Sequence, residues 1–221
     1  MSGVEGRRWV WTRPRRRPSL VLLAASTAGR IKGVSGKMRV ITGKAKGRRL
    51  RSVPGGGTRP MTDRAKSALF SILGDRVVGC RFLDLFAGTG QVGIEALSRG
   101  ATEAVFVERG VPALRTLREN LALTGLTDAA RVVRADVFAF LSGEAEPFNY
   151  IYIAPPQYRG LWAETLRALD DRPDWLVEDG WAIAQIHPRE FEDLPLVNLR
   201  LFDQRRYGGV MLCFYSRPPR P

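Results

Sequence analysis

The chain has 221 residues, 44% of them hydrophobic, enough for one full-sized α/β domain with appendages and too short for two such domains. No apolar run approaches the roughly 20 residues that cross a bilayer, which excludes a helical membrane protein. The formal net charge of +13 is uneven, with +8 on residues 1–37, +6 on residues 38–57 and −1 on residues 58–221. A near-neutral domain behind a basic front end points to a polyanionic partner, most simply nucleic acid.

In chain order, residues 1–37 interleave arginines with Trp9 and Trp11 before a short apolar run. They read as a basic leader or an over-extended start, with the patterned sequence beginning at Met38. Residues 38–42 and 48–53 flank Gly43-Lys-Ala-Lys-Gly47 and suggest a basic β-hairpin, followed by the flexible linker Pro54-Gly-Gly-Gly57. Residues 58–221 read as the main domain. Thr62 or Asp63 caps a helix in which Ala65, Leu69, Ile72 and Leu73 share a face.

Beyond that helix the pattern alternates. Strands are expected at 81–86, 104–107, 131–135, 150–153 and 181–186, and helices at 91–99, 111–124, 137–141 and 160–170. Residues 199–205 and 210–215 form a closing antiparallel hairpin. This is the pattern of an α/β doubly wound, seven-stranded sheet. Cys80 and Cys213 read as small core residues of a reduced, cytoplasmic protein. The single His187 and the absence of a cysteine cluster give no metal signature. Trp162, Trp175 and Trp181 read as packing residues, and His187 as a loop residue without a catalytic role.

Four motifs carry chemistry. Asp84-Leu-Phe-Ala-Gly88-Thr-Gly90-Gln-Val-Gly93 follows a strand and opens a helix, where a nucleotide-binding glycine loop belongs. Its spacing is shared with dinucleotide sites. Asp84 argues against a pyrophosphate, which it would repel, and for the ammonium of a methionine moiety. Glu108 ends the second strand, where a carboxylate accepts ribose hydroxyls. Asp136 ends the third, where an acid receives an adenine amine with Val137 or Phe138 beside the ring, or simply caps a helix. Ala154-Pro155-Pro156-Gln157-Tyr158 leaves the fourth strand, and its double proline stiffens the backbone at the sheet edge that receives ligands. An aromatic just after it can stack on a flipped-out base.

With these motifs in hand, residues from Met38 to about Tyr215 resemble the bacterial 16S rRNA (guanine 966-N2) methyltransferase family. The resemblance rests on Met38-Arg-Val-Ile-Thr-Gly-Lys-Ala-Lys-Gly-Arg-Arg-Leu50, on Thr58-Arg-Pro-Met-Thr-Asp-Arg64 with Ser67 to Leu73 behind it, and on Leu83 to Gly90 followed by Gly93 to Arg99. It implies a Rossmann-like class I methyltransferase domain that binds S-adenosylmethionine through Asp84, Phe86, Gly88, Gly90, Glu108, Asp136 and Val137. Residues 59–64, including Arg59 and Thr62, would close over that cofactor. It also implies that Arg39, Lys44, Lys46, Arg48 and Arg49 grip rRNA, with 16S rRNA or the small subunit as the partner; the chain is separately expected to be a monomer.

One departure stands out. The family, like other amine-methylating enzymes, has Asp or Asn before the two prolines and an aromatic directly after them, where this chain has Ala154 and Gln157. Ala154 removes an acceptor for the protons of the target amine. Such a hydrogen bond is worth about 1.5–3 kcal/mol, roughly tenfold to a hundredfold in rate. The sequence therefore leaves open a catalytically degenerate RNA-binding protein and a methyltransferase for another base. An NAD oxidoreductase is suggested by glycine spacing alone.

Overall fold

The computed structural model describes residues 38–53 and 61–218; the expected leader and linker lie outside them. Seven strands form one sheet in the order β3-β2-β1-β4-β5-β7-β6. β1 (Arg81–Leu85), β2 (Glu103–Glu108), β3 (Ala130–Arg134), β4 (Phe148–Ile153) and β5 (Leu176–Ile186) are parallel, and β6 (Arg200–Tyr207) and β7 (Val210–Ser216) close the sheet antiparallel. The expected doubly wound sheet is present.

The inner strands β1, β2 and β4 are apolar on both faces, as strands covered on both sides must be. One face packs Phe82, Phe106, Tyr150, Tyr152 and Ile183 against α1 (Asp63–Leu73), α2 (Gln91–Ser98) and α3 (Val111–Thr124). The other packs Leu83, Leu85, Val105, Val107, Ile151 and Ile153 against α4 (Val137–Leu141) and α5 (Leu161–Asp171). Strand alternation thus assigns consecutive residues to opposite cores. Trp162 and Trp175 are buried in the second core, and Trp181 packs at the edge of the first, among Tyr150, Phe202 and Phe214. Both cysteines are free and buried. No helix among the described residues is long and apolar enough to cross a membrane.

Three elements differ from the expected pattern in instructive ways. Thr62, not Asp63, caps α1, accepting from the Ala65 amide at 3.3 Å. β5 begins five residues before the expected start, because its first half crosses a register irregularity between Phe148 and Tyr150. The basic hairpin is short: Arg39 and Arg49 form one antiparallel bridge, and the Val40, Gly47 and Leu50 amides donate across it to the Arg48, Val40 and Met38 carbonyls. The amides of Ile41 and Thr42 donate to Glu95 at 2.8 and 3.0 Å, and those of Lys44 and Ala45 donate to the Ser98 carbonyl and hydroxyl. Donors spent on α2 cannot extend a ladder across the turn.

The turn therefore lies along α2 as a bound strap. Lys66 of α1 and Glu95 of α2 anchor it from below: Lys66 donates to the Arg39 carbonyl at 2.5 Å. Asn120 of α3 holds its outgoing end through the Arg51 amide and carbonyl and also donates to the Thr89 carbonyl in the glycine loop. The lysine-bearing tip meets the carboxyl end of α2, a favourable place for cations. It lies one helix length, about 12 Å, from the glycine loop.

Candidate functional site

The strand order reverses between β1 and β4, and at such a switch point the loops after neighbouring strands part to leave a crevice at the carboxyl edge. Here that crevice is a cleft of about 730 Å³, lined among others by Asp84, Phe86, Gly88, Glu108, Asp136, Val137, Ala154, Pro155, Pro156 and Gln157. Parallel strands bring their carboxyl ends to one edge, which is why three acids far apart in the chain meet around one space.

Asp84 is the most perturbed of the three. It is 2% exposed, and its Oδ2 accepts from the Gly93 amide at 3.0 Å. Burial pushes its pKa up to about 7; the Gly93 bond opposes the rise, and nearby Glu108 adds to it. A half-satisfied, buried carboxylate in a cleft is a seat for a cation, which would restore the ionised form. Glu108 is half-buried. Its two oxygens accept from the Gly88 amide at 2.9 Å and the Gly110 amide at 2.7 Å, which locks the carboxylate across the glycine loop with lone pairs left for a diol. Asp136 is exposed; it caps α4 through the Phe138 amide at 3.0 Å and faces Arg109 at 3.6 Å. Capping and lining the cleft are compatible roles, since its second oxygen is not used by the cap.

The glycine loop is shaped by close approach. A Cβ on Gly90 would stand 2.2 Å from Leu117 Cδ1, and one on Gly93 would stand 2.3 Å from the Phe106 ring. These glycines let α2 settle on β2 and α3, so that the Gly93 amide reaches Asp84. Phe86 holds a left-handed backbone (φ 65) at the cleft wall; strain of this kind in a non-glycine residue gathers at ligand sites.

The loop after β4 is arranged differently from a simple reading of its order. Gln157 lines the cleft, whereas Tyr158 takes φ 59 and turns outward, 66% exposed. Its ring lies 5.5 Å from that of His187, and its amide donates to Glu190 at 2.6 Å. His187 caps the short turn that follows it. Thr62 is committed to capping α1, and Arg59 lies outside the described residues; Met61 beside them lines the cleft, its carbonyl held by Gln91 at 2.9 Å. Of the basic residues, Arg39 is paired with Asp63 at 2.9 Å, while Lys44, Lys46, Arg48 and Arg49 are exposed on the strap. Arg205 pairs with Asp203, and the Arg206 guanidinium turns back on the Gly208 carbonyl.

Sequence reasoning missed several wall residues: Val53, Tyr152 and Gln185 above all. Gln185 had a signal, a polar residue at the end of an apolar strand. Val53 and Tyr152 had none, because only folding brings the strap and the inner face of β4 to the cleft. Among the described residues no group of His, Cys, Asp or Glu is placed to hold a metal ion.

Comparison with known proteins agrees with this architecture. Residues 38–216 match the family described as "Conserved hypothetical protein 95". The chain is 43% identical over 185 residues to YlbH of Bacillus subtilis (strain 168), an alignment that takes in 81% of this chain and 99% of that one. It is 36% identical over 185 residues to ribosomal RNA small subunit methyltransferase D of Escherichia coli (strain K12), spanning 83% of this chain and 91% of the relative. The solved structure of yhhF from Escherichia coli superimposes with a TM-score of 0.74 at 34% identity, over 83% of this chain and 99% of that one. The chain belongs to the Conserved hypothetical protein 95 family and is a relative of ribosomal RNA small subunit methyltransferase D.

Proposed function

We propose that this protein is an S-adenosylmethionine-dependent methyltransferase that methylates a guanine exocyclic amine in 16S rRNA, working as a cytoplasmic monomer on the small subunit. The observation that carries the reading is the convergence of Asp84, Glu108 and Asp136 on one cleft that opens onto Ala154-Pro155-Pro156.

The residues fit that cofactor. Asp84, buried and short of partners, would seat the ammonium of the methionine moiety. Glu108, fixed by two backbone amides, would take the ribose hydroxyls, with Gly88 and Gly90 shaping the loop beneath. Asp136 would receive the adenine amine, with Phe86 and Val137 against the ring. When bound there, the cofactor would supply an activated methyl group: its carbon–sulfur bond would break, the electron pair leaving with sulfur, as the amine nitrogen bonds to the carbon.

The protein's own part is placement. Pro155 and Pro156 hold the strand end rigid, and a backbone carbonyl there can accept one amine proton. The nitrogen gains positive charge on attack, so acceptors aimed at its protons favour the transition state over the ground state; one proton then passes to water. Positioning a poor nucleophile against the methyl would do most of the remaining work. The strap, within residues 38–53, would carry the rRNA on Lys44, Lys46, Arg48 and Arg49, with Arg39 paired to Asp63.

The test is transfer of labelled methyl from S-adenosylmethionine to small subunits from a strain lacking the equivalent enzyme, using residues 38–221 and the full chain in parallel. Label at a guanine amine of 16S rRNA is the expected result. Tight binding of S-adenosylhomocysteine with no label on subunits or naked rRNA would instead favour a non-catalytic RNA-binding role, the alternative that Ala154 raises.

A further inference from the structure

Ala154 leaves the target amine short of one acceptor, and the structure offers a replacement on the neighbouring strand. The parallel register pairs Ile153 of β4 with Ala184 of β5. Ala154 follows Ile153 just past the end of β4 and Gln185 follows Ala184 within β5, on chains about 4.8 Å apart where the strands pair, and both line the cleft. They share a face. Ile153 and Ala184 belong to one core; Tyr152, Ile183 and Ala154 belong to the other, and alternation places Gln185 with them.

Gln185 is also held. The Tyr152 hydroxyl donates to its Oε1 at 2.5 Å. Tyr152 is buried, and burial first, then the charge of Asp84, holds its pKa well above the usual tyrosine value. The hydroxyl therefore stays protonated, and of the two acceptors it meets, Gln185 Oε1 at 2.5 Å and Met61 Sδ at 3.5 Å, the amide oxygen is the nearer. That oxygen has two lone pairs, and Tyr152 occupies one. Gln157 also lines the cleft, but it is exposed on a loop and would lose several rotatable bonds' worth of freedom on engaging a substrate.

We propose that Gln185 Oε1 accepts an N–H of the target amine, standing in for the side-chain oxygen absent at Ala154. Gln185 is then a catalytic residue and Tyr152 a positioning residue that keeps its oxygen turned inward. An amide oxygen takes no proton outright; it holds the N–H while the nitrogen attacks, and the proton leaves to water afterwards. The inference rests on the amine-methylation reading above.

The test compares the parent, Gln185→Leu, Tyr152→Phe, Ala154→Asp and the Gln185→Leu/Ala154→Asp pair. Two things are measured besides affinity for S-adenosylhomocysteine, which Gln185→Leu leaves within about twofold and which reports folding. One is single-turnover methyl transfer. Gln185→Leu slows it about tenfold to a hundredfold, Tyr152→Phe slows it less, and adding Ala154→Asp to Gln185→Leu recovers at least about tenfold. The other is binding of the rRNA fragment, with S-adenosylhomocysteine present, carrying guanine or inosine at the target position. The parent prefers guanine, which has the amine, and Gln185→Leu binds both alike. A Gln185→Leu protein with parental rate and intact guanine preference overturns the proposal. That result leaves the methylation reading standing, whereas a parent without turnover that Ala154→Asp makes active overturns both, because this chain then lacks the acceptor and the activity alike. If neither parent nor Ala154→Asp methylates a guanine amine, the methylation reading itself fails and this assignment falls with it.

Discussion

Lys66 Nζ lies 3.2 Å from Glu95 Oε2, with both side chains shut off from solvent. Burial pulls the Lys66 pKa down, and Glu95 opposes that fall. The pair is more than a link between α1 and α2. Glu95 also accepts from Ile41, Thr42 and Arg99, and Lys66 from below donates to the Arg39 carbonyl. One buried acid thus ties the basic strap to the helix that begins at the glycine loop.

Removing the acid should cost more than removing the base. Glu95→Gln leaves a buried ammonium without its counter-charge and halves the acceptors facing the strap, and is expected to destabilise the fold by about 3–5 kcal/mol. Lys66→Met leaves Glu95 with Arg99 and two amides and is expected to cost less than half as much. Urea unfolding of the two variants gives the comparison. Amide exchange at Ile41 and Thr42 should accelerate in Glu95→Gln before global unfolding does.

Asp84 makes ligand binding pH-dependent. Its folded pKa of about 7 stands above the ordinary aspartate value of 3.8, so the stability it contributes is fully present below the unfolded value and is lost as pH rises through the folded one. A cationic ligand group reverses this by favouring the carboxylate. Affinity for S-adenosylhomocysteine should therefore tighten about tenfold between about pH 6 and about pH 8. Titration calorimetry at the two values checks it. Asp84→Asn should bind weakly at both, with the slope gone and the free protein more stable at the higher pH.

Gly93 has no room for a methyl group. The Phe106 ring that a Cβ would meet at 2.3 Å is fully buried, so it cannot swing away cheaply. Gly93→Ala gains helix propensity of about 1 kcal/mol and incurs overpacking of about 1–3 kcal/mol. A net loss in urea midpoint is expected, together with weaker S-adenosylhomocysteine binding as the Gly93 amide is pushed off Asp84. A midpoint equal to the parent's would mean that α2 and β2 separate freely where they meet.

The strap should reveal itself through salt. Alanine at Lys44, Lys46, Arg48 and Arg49 removes exposed cations without touching the buried network. Affinity for rRNA should fall, and the slope of its logarithm against that of salt concentration should flatten by about 0.7–0.9 for each phosphate that the strap no longer neutralises. An unchanged slope would show that the RNA is held elsewhere. Arg39→Ala, which breaks the pair with Asp63, should change stability slightly and the slope little.

Much of the site was legible because its signals are local. Asp84, Glu108 and Asp136 each follow a short apolar run, and parallel strands gather such positions at one edge whatever their separation in the chain. The loop after β4 was legible only in part. Its order suggested an aromatic presented to a base, yet Tyr158 at φ 59 points out to His187 and leaves Gln157 on the wall. The backbone rotation at one residue, fixed by Glu190 from another loop, is invisible to composition and spacing.

The sequence by itself determined the alternation of strands and helices, the glycine loop, the acids at the strand ends and the basic segment ahead of them. Each of these follows from side-chain periodicity or backbone freedom within a dozen or so residues. Only the tertiary structure decided that Glu95, an acid in mid-helix, is a buried anchor for the strap and not a solvated surface charge. It alone set Gln185 beside Ala154, which depends on the register of β4 against β5. Register is settled by the summed fit of two apolar cores on opposite faces of the sheet, a quantity that belongs to the whole packed molecule and to no single stretch of chain.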